Sequence, residues 1–225
     1  MIEPIARQYR NPQGSLRRPG RGRHWRAAGF LLLALLGGPP SALAEYTDAD
    51  AQAAQRLVKK RCAKCHGADG LGISDKFASL AGQPAEYLLK QIFNFKTGQR
   101  RDAKMQRVVE SLSAQDAYIA SEYFARLPAG FTPSDDPAAI AAGRRIYFEG
   151  NRETGVHNCA SCHGVYATGG GPVARLAGQN PTYLETQIRS FIANSRSNDR
   201  AMHAIVAPLS PQEIRSVAAY LAAEN

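Results

Sequence analysis

The sequence predicts an all-α chain built from two tandem copies of one small domain, and three observations carry that reading. A set of residues recurs at a nearly constant spacing of 96 to 97 positions. Helix-start signals stand before several apolar segments, and the apolar residues inside those segments fall at helical spacing. No stretch alternates as a strand would.

The repeat is detailed. Cys62-Ala63-Lys64-Cys65-His66-Gly67 recurs 97 residues later as Cys159-Ala160-Ser161-Cys162-His163-Gly164. Leu80-Ala81-Gly82-Gln83, Tyr87-Leu88, Gln91-Ile92 and Phe95 recur at an offset of 96 as Leu176-Ala177-Gly178-Gln179, Tyr183-Leu184, Gln187-Ile188 and Phe191, so one residue is lost from the loop after the second cysteine motif. Met105 with Met202, Leu112-Ser113 with Leu209-Ser210, and Tyr123 with Tyr220 return to 97. Duplication of one domain is the economical explanation.

Each element follows from local chemistry. Thr47 with Asp50, and Ser113 with Asp116, form capping-box patterns, while Ser210-Pro211-Gln212-Glu213 joins an N-cap serine, a first-turn proline and an N3 glutamate. Pro84 and Pro181 open the middle helices, which bury Leu88, Ile92 and Phe95, or Leu184, Ile188 and Phe191. The last helix of copy one presents Ala117, Ala120, Tyr123, Phe124 and Leu127 on one face, and that of copy two presents Ile214, Val217, Ala218 and Leu221. The breaker-rich run Leu127 to Pro137 reads as the connection. The expected divisions are a leader over 1–44, a first domain over 45–129, a linker over 130–137 and a second domain over 138–225.

The leader reading rests on seven arginines ahead of the apolar run Ala27 to Leu36, followed by Ala42-Leu43-Ala44 as a small-residue cleavage site. The apolar run is about half of the roughly 20 residues a membrane-spanning helix needs, which disfavours a retained anchor. Arg17-Arg18 is followed by Pro19-Gly20, a poor match to a twin-arginine signal. Export to the periplasm is the expectation. Residues 1–44 hold seven basic residues and one acid, so their removal takes 28 basic and 19 acidic residues to 21 and 18, a net charge of +3. That balance gives no support to nucleic-acid binding, which needs a clustered basic face.

Cys-x-x-Cys-His is the attachment signature of c-type haem. Two thiols three positions apart lie close on a helical turn and can add to the porphyrin vinyl groups, while the adjacent histidine reaches the iron. Cys62, Cys65 and His66 make one set, and Cys159, Cys162 and His163 the other. Zinc or disulfides are the alternatives, but cysteine pairs more than ninety residues apart are far wider than zinc-ribbon spacing, and neither explains the two histidines. Two covalent haem groups are expected, with iron as the metal.

Beyond the leader only two methionines remain, each 39 residues past its motif histidine: His66 to Met105 and His163 to Met202. Methionine is ordinarily a core filler, yet the equal spacing favours both as sixth iron ligands. His203, His157 and Lys104 are the rival donors.

On these residues, both copies resemble class I cytochrome c domains, and the tandem arrangement with Leu-Ala-Gly-Gln after each motif is similar to the dihaem cytochrome c4 family. The resemblance covers essentially the whole chain beyond the leader. It implies His/Met ligation at both haems, two domains packed face to face about an approximate two-fold axis, and a periplasmic, sometimes membrane-associated, electron donor to a terminal oxidase. It also implies redox proteins as partners and an electron carrier rather than an enzyme. The rival functions are a dihaem peroxidase or sulfur-compound dehydrogenase, and a cytochrome subunit held permanently by a membrane complex. A class I domain usually orients its histidine with a proline carbonyl after the motif. Pro172 suits that part, whereas Gly72 to Lys76 holds no proline, so the bond fixing His66 is expected to be the less secure of the two.

Charge differs between the copies. Residues 45–128 carry 13 basic and 10 acidic side chains, and residues 129–225 carry 8 and 8. Lys96, Arg100, Arg101, Lys104 and Arg107 cluster around Met105, either as an ordinary solvated loop or as a basic rim that steers an acidic partner.

Overall fold

The computed structural model describes residues 45–131 and 136–224, so the leader read over 1–44 and the centre of the linker lie outside the described residues. Ten helices follow one another among them: α1 (Asp48–Arg61), α2 (Ala63–His66), α3 (Ala85–Lys96), α4 (Ala103–Glu110), α5 (Ala114–Ala125), α6 (Pro137–Glu149), α7 (Ala160–His163), α8 (Pro181–Ile192), α9 (Arg200–Val206) and α10 (Pro211–Ala223). The extended pairings among the described residues are two isolated bridges, Asn151 with Val156 and Gly170 with Val173. The all-α reading holds.

The caps explain why the helices start where they do. Thr47, Ser113 and Ser210 each close a full capping box, worth about 1 kcal/mol apiece. Pro84 is the N-cap of α3, and Pro181 is the first residue of α8 behind the Asn180 cap. Asp136 and Pro137, read from sequence as linker, already cap and open α6.

The two halves repeat one packing scheme. Helix α5 lies against α1 and α3, with α4 against α3; likewise α10 lies against α6 and α8, with α9 against α8. Counted from their N-caps, Ala54 in α1 and Gly143 in α6 occupy the same position. Ala54 is fully buried. At Gly143 the approach is close, because an added Cβ would sit 2.0 Å from the Ser216 carbonyl oxygen of α10. The halves differ most between α6 and α7, where residues 150–158 form a loop held to α10 by Asn151 Nδ2 donating to Glu213 Oε1 at 2.8 Å; α1 instead runs directly into Cys62.

The first half does not close its own core: Val58, Leu88 and Phe124 form one cluster and Phe95, Val109 and Leu112 another, whereas the second half packs around a single cluster that includes Ile146, Tyr147, Leu184, Val217 and Leu221. A cavity of about 940 Å³ runs through both halves and is lined by members of both clusters, together with Leu184, Phe191 and Leu221 of the second half. A bulky apolar group filling it joins what the chain alone leaves divided, as domains this small require.

Glycine to alanine within a helix ordinarily stabilises by roughly 0.5–1 kcal/mol. At Gly143 the sign reverses: Gly143→Ala forces α6 and α10 apart and is expected to destabilise the haem-loaded protein by about 1–3 kcal/mol. Thermal denaturation checks this, and a raised midpoint would contradict the close crossing.

Candidate functional site

Each Cys-x-x-Cys-His segment is a single helical turn. The amides of Cys65 and His66 both donate to the Cys62 carbonyl, at 3.1 and 3.0 Å, and those of Cys162 and His163 to the Cys159 carbonyl, at 3.2 and 3.0 Å. Gly67 and Gly164 end the turns at φ +74° and +83°, a conformation open to glycine at no steric cost. None of the four cysteines is paired in a disulfide, and burial pushes the Cys62 and Cys159 thiols up to about 11. No group of three or more His, Cys, Asp or Glu side chains is placed to hold a metal ion among the described residues.

The histidines are aimed by backbone carbonyls. Nδ1 of His66 lies 2.9 Å from the Ala78 oxygen and Nδ1 of His163 lies 2.9 Å from the Ala174 oxygen. A carbonyl only accepts, so Nδ1 carries the proton and Nε2 keeps its lone pair for a metal. Burial lowers both imidazole pKa values against the opposing pull of the carbonyls, which keeps the rings neutral. This corrects the sequence expectation twice. Pro172 is not the acceptor, and His66 is held as firmly as His163, because any residue can present a carbonyl. The loop that presents it is fixed by Leu80 and Ala81 amides donating to Gly70, and by Leu176 and Ala177 amides donating to Ala167.

The methionines stand on short helices whose caps are again matched. Asp102 accepts from the amides of Lys104 and Met105, and Asp199 accepts from the amide of Met202. Met105 and Met202 line the cavity with Cys62, Cys65, His66, Cys159, Cys162 and His163, so the structure brings all eight expected residues to its wall. Of the rivals, His157 is exposed and His203 uses Nδ1 on the Phe191 carbonyl at 2.6 Å, and neither lines the cavity; Lys104 does, with an exposed side chain.

The halves meet through buried polar groups in matched pairs. Arg100 donates to Gln91, Tyr183 and Gln187, while Arg196 donates to Gln187, Tyr87 and Gln91. Each guanidinium also lies over a phenylalanine of its own half, Arg100 on Phe95 at 4.6 Å and Arg196 on Phe191 at 4.4 Å. Reciprocity of this kind is the mark of a two-fold relation. Burial raises the Tyr87 phenol, but the Arg196 and Arg100 charges outweigh it and hold the pKa below its ordinary value. Arg100 is therefore no part of a solvent-facing basic rim. It is 8% exposed, as is Arg196, and sequence alone did not show it because its partners lie up to 87 residues away.

These features test whether a haem fits. Each half offers two cysteines and a neutral histidine on one turn, an apolar cavity, and a buried guanidinium on its wall. Neither Arg100 nor Arg196 pairs with a carboxylate among the described residues. A buried cation without an anion is costly, and a haem brings two carboxylates. The residues fit the group.

Fold and site together define a dihaem c-type cytochrome, an electron carrier with two covalent haem c groups. Residues 51–126 match the family profile described as cytochrome c, and residues 138–221 match that of cytochrome c oxidase, cbb3-type, subunit III. The chain is 36% identical to cytochrome c4 of Pseudomonas aeruginosa over 71% of its own length and 82% of the relative's, and 35% identical to the thiosulfate dehydrogenase electron acceptor of Thiomonas intermedia over 72% and 78%. The crystal structure of reduced cytochrome c4 from Pseudomonas stutzeri superposes with a TM-score of 0.72 at 29% identity, covering 78% of this chain and 98% of that one. The chain belongs to the cytochrome c4 family.

Replacing Cys62 and Cys65 together by alanine is expected to lower the covalent haem count, read by pyridine haemochrome, from two per chain to one. A count unchanged at two would contradict the attachment.

Proposed function

We propose that the chain is exported through a leader over residues 1–44 and carries electrons in the periplasm as part of a respiratory chain. In this reading residues 45–129 and 138–225 are its two haem domains. His66 with Met105, and His163 with Met202, would hold the two irons, and the four motif cysteines would carry the covalent attachments. A bound haem supplies a one-electron couple, and methionine opposite histidine favours its reduced form. The observation that carries the reading is the provision in each half of both a histidine and a methionine on the cavity wall, which together would fill the two coordination positions that a haem iron leaves open.

The chain's own residues then have three tasks. The Ala78 and Ala174 carbonyls fix the imidazoles, so no ligand swings as charge changes. The apolar walls exclude water and so limit reorganisation around the iron. Exposed side chains select the partner.

For the partner, a terminal oxidase or similar acceptor suits the match of residues 138–221 to an oxidase cytochrome subunit. The relative named as an electron acceptor of thiosulfate dehydrogenase favours a sulfur-compound dehydrogenase as a donor. Docking falls to the first half. Arg61, Lys76, Arg101 and Lys104 are exposed at its cavity, and the aligned positions of the second half hold Asn158, Pro172, Ser197 and Ala201. The rim thus steers an acidic surface toward the first haem.

Charge reversal at Arg101 and Lys104 is expected to slow electron transfer to membranes holding the oxidase by about tenfold at low salt, with the difference vanishing at high salt. Rates insensitive to both changes would remove the rim. Fractionation should recover a chain beginning near Glu45 in the periplasm, and an uncleaved chain in the cytoplasm would contradict export.

A further inference from the structure

The Leu-Ala-Gly-Gln motif recurs in both halves, and each of its glutamines reaches across to the other half. Gln179 Oε1 accepts from the Ser79 amide at 2.7 Å and its Nε2 donates to the Ser79 carbonyl at 2.9 Å. Gln83 does the same to the other half, accepting from the Arg175 amide at 3.1 Å and donating to the Arg175 carbonyl at 2.7 Å. Both glutamines are 4% exposed, and beyond the clamp Gln179 Oε1 also accepts from the neighbouring Asn180 amide at 3.1 Å.

The peptide group being clamped matters. The Ser79 N–H and the Ala78 C=O belong to one peptide unit, and that carbonyl is the acceptor for His66 Nδ1. In the same way the Arg175 N–H and the Ala174 C=O form the unit that holds His163. An amide whose N–H is engaged has a more negative carbonyl oxygen, and so accepts more strongly. A stronger bond at Nδ1 makes the imidazole a more basic ligand and favours the oxidised iron.

We propose that Gln179 and Gln83 are positioning residues that set the potential of the opposite half's haem, through the peptide that orients its histidine. The relay runs from Gln179 through the Ala78–Ser79 peptide to His66, and from Gln83 through the Ala174–Arg175 peptide to His163. Any movement between the halves therefore reaches both iron ligands at once. The motif's other residues serve this geometry. Leu80 and Leu176 anchor the loop through their amides, and Gly82 and Gly178, both at φ +69°, turn the chain so that the glutamine crosses the boundary.

The proposal rests on His66 and His163 being the iron ligands, and the experiment separates the two ideas. In the oxidised, haem-loaded protein with unsubstituted sequence, the ring N–H of each ligand histidine is shifted strongly by the paramagnetic iron. Absence of that shift fails the ligand reading and takes the relay with it. Given the shift, Gln179→Met, which keeps the side chain's length without its polar atoms, is expected to speed exchange of the His66 ring proton by about tenfold, the worth of one hydrogen bond. It is also expected to raise the potential of the first haem more than that of the second, in a redox titration resolved by haem. Gln83→Met gives the mirror result at His163 and the second haem, which keeps the test alive if one variant folds poorly. Gln179→Glu, which retains an acceptor for the Ser79 amide, is expected to restore the slow exchange. A change confined to the substituted half, an equal change in both, or no change overturns the relay while leaving the ligands standing.

Discussion

A lobe of five short helices has little apolar interior to hide, and in this chain the first lobe does not finish the task alone. The first half splits its buried side chains into two clusters, and both face a cavity that also carries two cysteines, a histidine and a methionine. The rest of the structure follows from that unfilled interior. The motif turn, the loop that aims the histidine and the capped helix that brings the methionine are three walls around one space. A group that completes the core would also stand where all three converge.

Duplication supplies the second constraint. Two copies of one domain that meet about a two-fold relation make every boundary contact twice, and here those contacts are polar and buried rather than greasy. Arg100 and Arg196 exchange neutral partners across the boundary, and Gln83 and Gln179 exchange peptide clamps. Two buried guanidiniums without carboxylates are unfavourable by themselves. On the cavity wall they would suit a group that carries carboxylates, as haem does. By comparison the one ion pair between the halves among the described residues, Lys90 with Asp199 at 3.4 Å, is about a third exposed and adds little.

What could be read from sequence was local or repeated. The capping boxes at Thr47, Ser113 and Ser210 declare themselves within four residues, the Cys-x-x-Cys-His turns within five, and the methionines through equal spacing. What could not be read depended on backbone or on distance. The acceptors of His66 and His163 are carbonyls of Ala78 and Ala174, and a carbonyl leaves no trace in residue type. Arg100 looked like a surface charge because its neighbours in sequence are charged, yet it is buried by residues of the other half. The paired Asp102 and Asp199 caps were visible three residues ahead of each methionine, and the duplicated Gln83 and Gln179 were visible as a motif. Their repetition at a polar position, which a solvent-facing helix would not require, was the signal that these residues had a task.

The central claim is that two equivalent histidine and methionine sites hold two low-spin irons. Proton NMR of the fully reduced protein tests it most directly, because the methyl of a methionine bound to haem iron lies over the porphyrin and its resonance moves far upfield. Two such methyl resonances are expected, one lost in a Met105 variant and the other in a Met202 variant. A single upfield methyl, or none, would show that at least one iron is held differently and would contradict it.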